Sequence, residues 1–130
     1  MIAADTGTWI AFLQGEPGQD TDLLDQALEQ KQLLMPPAVL TELLSDPKLD
    51  GEIAEDLAAI PLIEINDGFW QRAGGLRAQV LSKRREARLG DALIDQSCMD
   101  RGIPLLTRDR DFQNFGEAAG LTVVFGPSEK

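Results

Sequence analysis

Apolar residues in this 130-residue chain come in short runs separated by stretches with helical spacing. The first run, residues 1–4, predicts a strand, and Trp9, Ile10, Phe12 and Leu13 place a helix that ends near Gly15-Glu16-Pro17-Gly18. Thr21 or Asp22 is placed to cap a second helix with the apolar stripe Leu23, Leu24, Ala27 and Leu28. Residues 33–35 predict a short buried strand. Pro36-Pro37 then opens a third helix, because a proline in the first turn removes no helical hydrogen bond. A helix over 51–60 stops at Pro61, and residues 62–65 predict a strand. A long helix from about Asp67 is weakened by Gly74-Gly75, by about 1 kcal/mol each relative to alanine. Gly90-Asp91 restarts a helix to Arg101, Gly102 stops it, and strands follow at 104–107 and 121–125. Strands alternating with helices predict an α/β fold with a parallel sheet covered on both faces and ligands at the strands' carboxyl ends. No repeat, low-complexity tract or long linker interrupts the pattern, so residues 1–130 are expected to form one domain.

Composition narrows the chemistry more than the fold. The chain is 43% hydrophobic and 26% charged, a globular balance, and no apolar run nears the roughly 20 residues of a membrane span. It opens without a basic or apolar leader, so a cytoplasmic protein is expected. The single cysteine, Cys98, makes neither an internal disulfide nor a thiolate metal cage. The complete lack of histidine is more restrictive. It excludes Ser-His-Asp and Cys-His catalysis, most zinc chemistry and any histidine acid–base pair. Tyrosine is absent too, which leaves carboxylates, Lys, Arg, hydroxyls or a bound metal for polar chemistry.

Acids are abundant, 22 against 12 Lys and Arg, for a net charge of −10. Residues 1–71 hold 14 acids and two bases, whereas residues 72–110 hold nine bases and five acids. The global charge argues against nonspecific adhesion to nucleic acid, while the basic band leaves room for local phosphate contacts. Asp5 follows the first strand, and Asp109 stands two residues past Thr107, so both belong at the carboxyl edge of the sheet. Each also suits a cap or turn, as does Asp111. Asp91 and Asp95 say more. They lie about 40° apart on a helical wheel, inside the arc occupied by Ile94, Cys98 and Met99. A carboxylate inside an apolar arc needs a cation or donors, or it neutralises. Arginine and a divalent metal are the two partners that fit. Glu42 behaves differently, pointing almost opposite the stripe Pro36, Val39, Leu40, Leu43 and Leu44, and periodicity alone makes it solvent-facing.

Gathered carboxylates without histidine suit a hard cation such as Mg²⁺ or Mn²⁺, which prefers oxygen ligands. Such an ion activates water and stabilises the leaving oxygen of a phosphodiester. Haloacid-dehalogenase phosphatases need a second aspartate where this chain has Gly7, and receiver domains need a late lysine that is missing between Arg101 and Ser128. Walker-A and dinucleotide glycine patterns are absent.

Four segments together resemble the PIN domain. They are Asp5-Thr6-Gly7-Thr8-Trp9-Ile10, Pro37-Ala38-Val39-Leu40-Thr41-Glu42-Leu43, Leu89-Gly90-Asp91-Ala92-Leu93-Ile94, and Leu105-Leu106-Thr107-Arg108-Asp109-Arg110-Asp111-Phe112. Within that family the chain is similar to the VapC-type toxin ribonucleases of bacterial toxin–antitoxin pairs. The resemblance implies a three-layer α/β/α fold with a short central parallel sheet and an endoribonuclease dependent on Mg²⁺ or Mn²⁺. It implies Asp5, Glu42, Asp91 and Asp109 as the catalytic acids, with Asp5 and Asp91 the firmest metal ligands. Glu42 and Asp109 would complete the pocket and orient water. Asp95 would be an accessory ligand or a support behind the ligands, and Thr6 and Thr107 would supply hydroxyls. Gly7 departs from the small hydroxyl residue or asparagine common at its position.

The same resemblance implies a homodimer and a cognate antitoxin that inserts an apolar segment, sometimes with a basic residue, into the acidic pocket. RNA is the expected substrate, with Lys83, Arg84, Arg85, Arg88, Arg108 and Arg110 as phosphate contacts. Two alternatives stand beside it: a non-catalytic PIN-like module that binds RNA or protein, and a PIN nuclease of RNA processing.

Overall fold

The computed structural model describes residues 1–109 and the strand at 123–125. Arg110, Asp111 and the first two residues of the strand expected at 121–125 lie outside the described residues. The chain runs β1 (Ala3–Ala4), α1 (Thr6–Leu13), α2 (Gln19–Glu29), α3 (Pro37–Leu44), α4 (Gly51–Ala58), α5 (Phe69–Ser82), α6 (Leu89–Arg101), β2 (Leu105–Thr107) and β3 (Val123–Phe125). The sheet order is β1-β2-β3, all parallel, with Ala3 opposite Leu105 and Leu105 opposite Val123. Successive strand residues point to opposite faces, yet every residue of β1 and β2 is buried. Helices therefore cover both faces, which makes the three-layer α/β/α arrangement. Trp9, Leu24, Met35, Val39, Ile94, Leu105 and Leu106 form the largest fully buried part of the core. Each contributes about 1.5–3 kcal/mol by leaving water.

The strands expected at 33–35 and 62–65 shrink to single parallel bridges, Ile2 with Leu33 and Met35 with Leu62. Few residues are extended there, so the sheet fades at that edge. The second helix begins at Gln19, after Gly18, rather than at Thr21 or Asp22. Thr21 instead turns its hydroxyl back to the carbonyls of Glu16 and Gly18, each at 3.1 Å. The helix expected over 51–60 ends at Ala58, and α5 begins at Phe69 behind Gly68, whose φ of 80° favours glycine. The Gly74-Gly75 pair leaves α5 continuous, because α5 is held along its length by packing on α6. Asp91 lies in the first turn of α6 and is not its cap, since the helix starts at Leu89. Gly102, at φ 64°, closes α6 through Gly102 N–H to Met99 O and Ile103 N–H to Cys98 O, at 3.1 and 2.9 Å. Among the described residues, no helix is long and apolar enough to cross a membrane.

An acidic pocket at the carboxyl edge of the sheet

Asp5 leaves β1 and caps α1, and the same carboxylate faces the pocket. Its Oδ1 accepts from the Thr8 backbone N–H at 2.8 Å. Its Oδ2 accepts from the Thr107 hydroxyl at 2.5 Å, at the end of the neighbouring strand β2. The Thr107 oxygen in turn accepts from the Asp109 N–H at 2.9 Å, so one buried hydroxyl ties two acidic positions together. Cap and functional site thus coincide at Asp5. Burial pushes its carboxyl up to about 6, against the opposing pull of the Thr107 and Thr8 hydrogen bonds.

Glu42 projects from α3 and is exposed, as its periodicity predicts, but the solvent it meets is that of the pocket. It accepts from the Thr6 hydroxyl. Gly90 permits this placement, because a Cβ there would stand 2.8 Å from Glu42 Oε2. Asp91 enters from the first turn of α6, and Asp109 from just past β2. The pocket has a volume of about 470 Å³ and holds all four acids together with Thr6, Gly7, Ser45, Arg88 and Ile94. Two helix N-termini, of α1 and α6, point their amides toward this region and favour negative charge there. Gly7 lies at the wall, where a Cβ would come no nearer than 3.8 Å to Asp5. Nothing in the packing demands a glycine at that point.

Arg88, three residues before Asp91, reaches into the acids. Its Nε donates to Asp91 Oδ2 at 3.1 Å and its Nη2 to Asp109 Oδ2 at 2.6 Å. Burial raises the Asp91 carboxyl; Arg88 opposes that shift, and Asp109 and Glu42 reinforce it. Asp95, one turn along α6, is 0% exposed, and neither carboxyl oxygen has a hydrogen-bond partner among the described residues. Burial first, then the charges of Asp91 and Asp5, push it up to about 9. Of the two partners open to it from sequence, arginine is therefore not the one found among the described residues.

The other basic positions divide. Arg108 is committed to α2: its Nε and Nη2 bind Asp20 Oδ2 and Oδ1, both at 2.8 Å, and its Nη1 binds Glu16 at 3.1 Å. Lys83 and Arg84 end α5 in a tight turn, with Arg84 at φ 59°, and neither they nor Arg85 line the acidic pocket. Sequence reading missed the inward role of Arg88, although its i,i+3 spacing to Asp91 was a usable signal. It also missed an apolar groove of about 310 Å³, lined by Pro37, Ala38, Ile65, Trp70, Leu89 and Leu93, that shares Glu42 and Gly90 with the pocket. The exposure of Trp70, 65%, could not be read from spacing.

The donor set fits a hard divalent cation in kind: carboxylates and hydroxyls, with the two buried Asp95 oxygens behind them unpartnered among the described residues. As the side chains stand, no three acids among the described residues are arranged around one metal position. Three comparisons with solved structures describe the fold. VapBC from Salmonella typhimurium bound to DNA superposes with a TM-score of 0.74 at 16% identity, over 96% of this chain and 98% of that one. VapBC2 from Rickettsia felis, bound to a promoter DNA fragment, gives 0.72 at 16% identity over 98% and 100%. A toxin–antitoxin complex from Klebsiella pneumoniae gives 0.68 at 22% identity over 95% and 96%. No curated protein matches the chain by sequence. The PIN domain family model matches residues 2–118, nearly the whole chain, with the acidic pocket at the carboxyl edge of its sheet, and the chain belongs to the PIN domain family.

Proposed function

We propose that this protein is a Mg²⁺- or Mn²⁺-dependent endoribonuclease of the VapC type, the toxin of a cytoplasmic toxin–antitoxin pair. The observation that carries this reading is the convergence of Asp5, Glu42, Asp91 and Asp109, from four separate segments, on one pocket. Asp5 and Asp91 are the residues to hold the cation, with Asp95 in reserve behind them. A divalent ion held there would supply neutralising charge for the phosphodiester and lower the pKa of the attacking water. Glu42 and Asp109, at the pocket wall, orient that water and accept its proton. Thr107 holds Asp5 in place through its hydroxyl, and Thr6 does the same for Glu42. Ionised carboxylates repel one another unless a cation joins them, so cation binding and assembly of the site are coupled.

The structural relatives named as toxin–antitoxin complexes support an antitoxin partner. The apolar groove beside the pocket suits that partner's apolar segment, and a homodimer completes the expected assembly. One observation favours a second reading, a non-catalytic binding module: Arg88 already neutralises two of the acids. Thermal unfolding with and without Mn²⁺ separates the two. Wild type should gain stability in Mn²⁺, whereas Asp5→Asn and Asp91→Asn should not, and should melt higher than wild type without metal. A wild-type midpoint indifferent to millimolar Mn²⁺ would sink the nuclease reading. With a cleavable RNA in hand, either substitution should lower the rate by about 100-fold or more.

A further inference from the structure

One cation in the acidic pocket belongs to the chain itself. The Arg88 backbone is pinned at the start of α6, where its carbonyl accepts from Ala92 N–H at 3.1 Å. Its side chain spans two catalytic candidates, Asp91 at 3.1 Å and Asp109 at 2.6 Å. We propose that Arg88 is a positioning residue that serves as a tethered stand-in cation, bridging Asp91 and Asp109 until a divalent ion takes the same carboxylates. This rests on the metal-site reading above and adds a competitor to it.

Two features make the bridge releasable. The Arg88 side chain is 61% exposed while Asp91 is 14% exposed, so the arginine can return to water at little cost and the aspartate cannot. The guanidinium also occupies Oδ2 of each acid, one of the two oxygens that acid has for a metal, and its positive charge sits where the cation's would. Cation binding and the Arg88 bridge therefore compete for these carboxylates, and the coupling between them is reciprocal. Arg88 keeps the acids together when no metal is bound, at the expense of affinity for the metal. Once displaced it remains at the pocket mouth, still tethered to α6.

Mn²⁺ titration calorimetry paired with thermal unfolding, on wild type, Arg88→Ala and Arg88→Lys, tests this without any RNA. Arg88→Ala should melt below wild type without metal, yet bind Mn²⁺ about tenfold more tightly. Arg88→Lys, which keeps the charge but loses the two-armed fork, should fall between them. An arginine with a purely structural role would lower stability and Mn²⁺ affinity together; that result, or unchanged affinity in Arg88→Ala, overturns the proposal. If Arg88→Ala fails to fold, Arg88→Lys decides by the same criterion. Mn²⁺ binding by wild type without gain in the variants removes only the tether. Failure of all three to bind Mn²⁺ removes the metal-site reading and the tether with it.

Discussion

Arg108 and Arg88 make the same kind of contact and teach opposite lessons. Arg108 grips Asp20, a carboxylate that is 0% exposed and also accepts from the Thr8 hydroxyl at 2.9 Å. Burial alone would raise Asp20, yet the hydrogen bonds from Arg108 and Thr8 hold it below the usual carboxylate range. That pair is closed: it joins the start of α2 to the end of β2 and leaves its aspartate no open side. Arg88 holds acids that line an open pocket, and burial and neighbouring acids keep Asp91 raised despite it. A closed pair is architecture, and an open one is an exchangeable cation. Burial of the carboxylate, rather than its distance from the arginine, separates the two.

Breaking the closed pair should have the largest effect. Arg108→Ala strands the buried Asp20 charge, and stability should fall by about 3–5 kcal/mol in denaturant unfolding, the usual cost of orphaning a buried ion. A loss under about 1 kcal/mol would place Asp20 in water and end the contrast.

Asp95 sharpens the comparison from the other side, as a buried acid with no arginine on it among the described residues. Asp5, raised to about 6, and Asp95, raised to about 9, both bind protons more tightly folded than unfolded. Their contribution to stability is therefore complete below the unfolded value near 3.8 and is lost as pH rises through about 6 and then about 9. Without metal, the midpoint should fall across that window, and Asp95→Asn should flatten the part above pH 6. Saturating Mn²⁺ should weaken or reverse the slope, since a cation displaces protons from its ligands. A midpoint that climbs steadily from pH 6 to 9 without metal would contradict the buried, neutral Asp95.

The smallest effect is expected at a third pair, Arg72 with Asp100, which is bidentate at 3.2 and 2.6 Å but lies at the surface. Arg72→Ala should leave the midpoint close to wild type, and added salt should erase what difference remains. A large loss there would show that two-armed geometry alone, without burial, makes an arginine pair structural.

Much of this was legible in the chain. Local periodicity located the six helices of the described residues, because amphipathic spacing and the Pro and Gly boundaries act within a few residues. The wheel of α6 put Asp91 and Asp95 among apolar neighbours, and the structure buries both to different depths. Glu42 shows where such reading stops. Its outward periodicity was correct, but only the approach of α6 through Gly90 turns that outward face into a pocket wall. The strands at 33–35 and 62–65 faded to single bridges because pairing needs a neighbour, which short-range pattern does not supply.

The sequence by itself determined which residue types were available, acids without histidine, and the approximate places of the helices and of four family segments in order. Tertiary structure decided the partnerships. Arg88 and Arg108 belong to one basic band, yet Arg108 meets an aspartate 88 positions away, while Arg88 meets its near neighbour Asp91 and, across the pocket, Asp109. Whether a charge is closed, exchangeable or neutralised depends on the water removed around it, and that water is displaced by segments from distant parts of the chain.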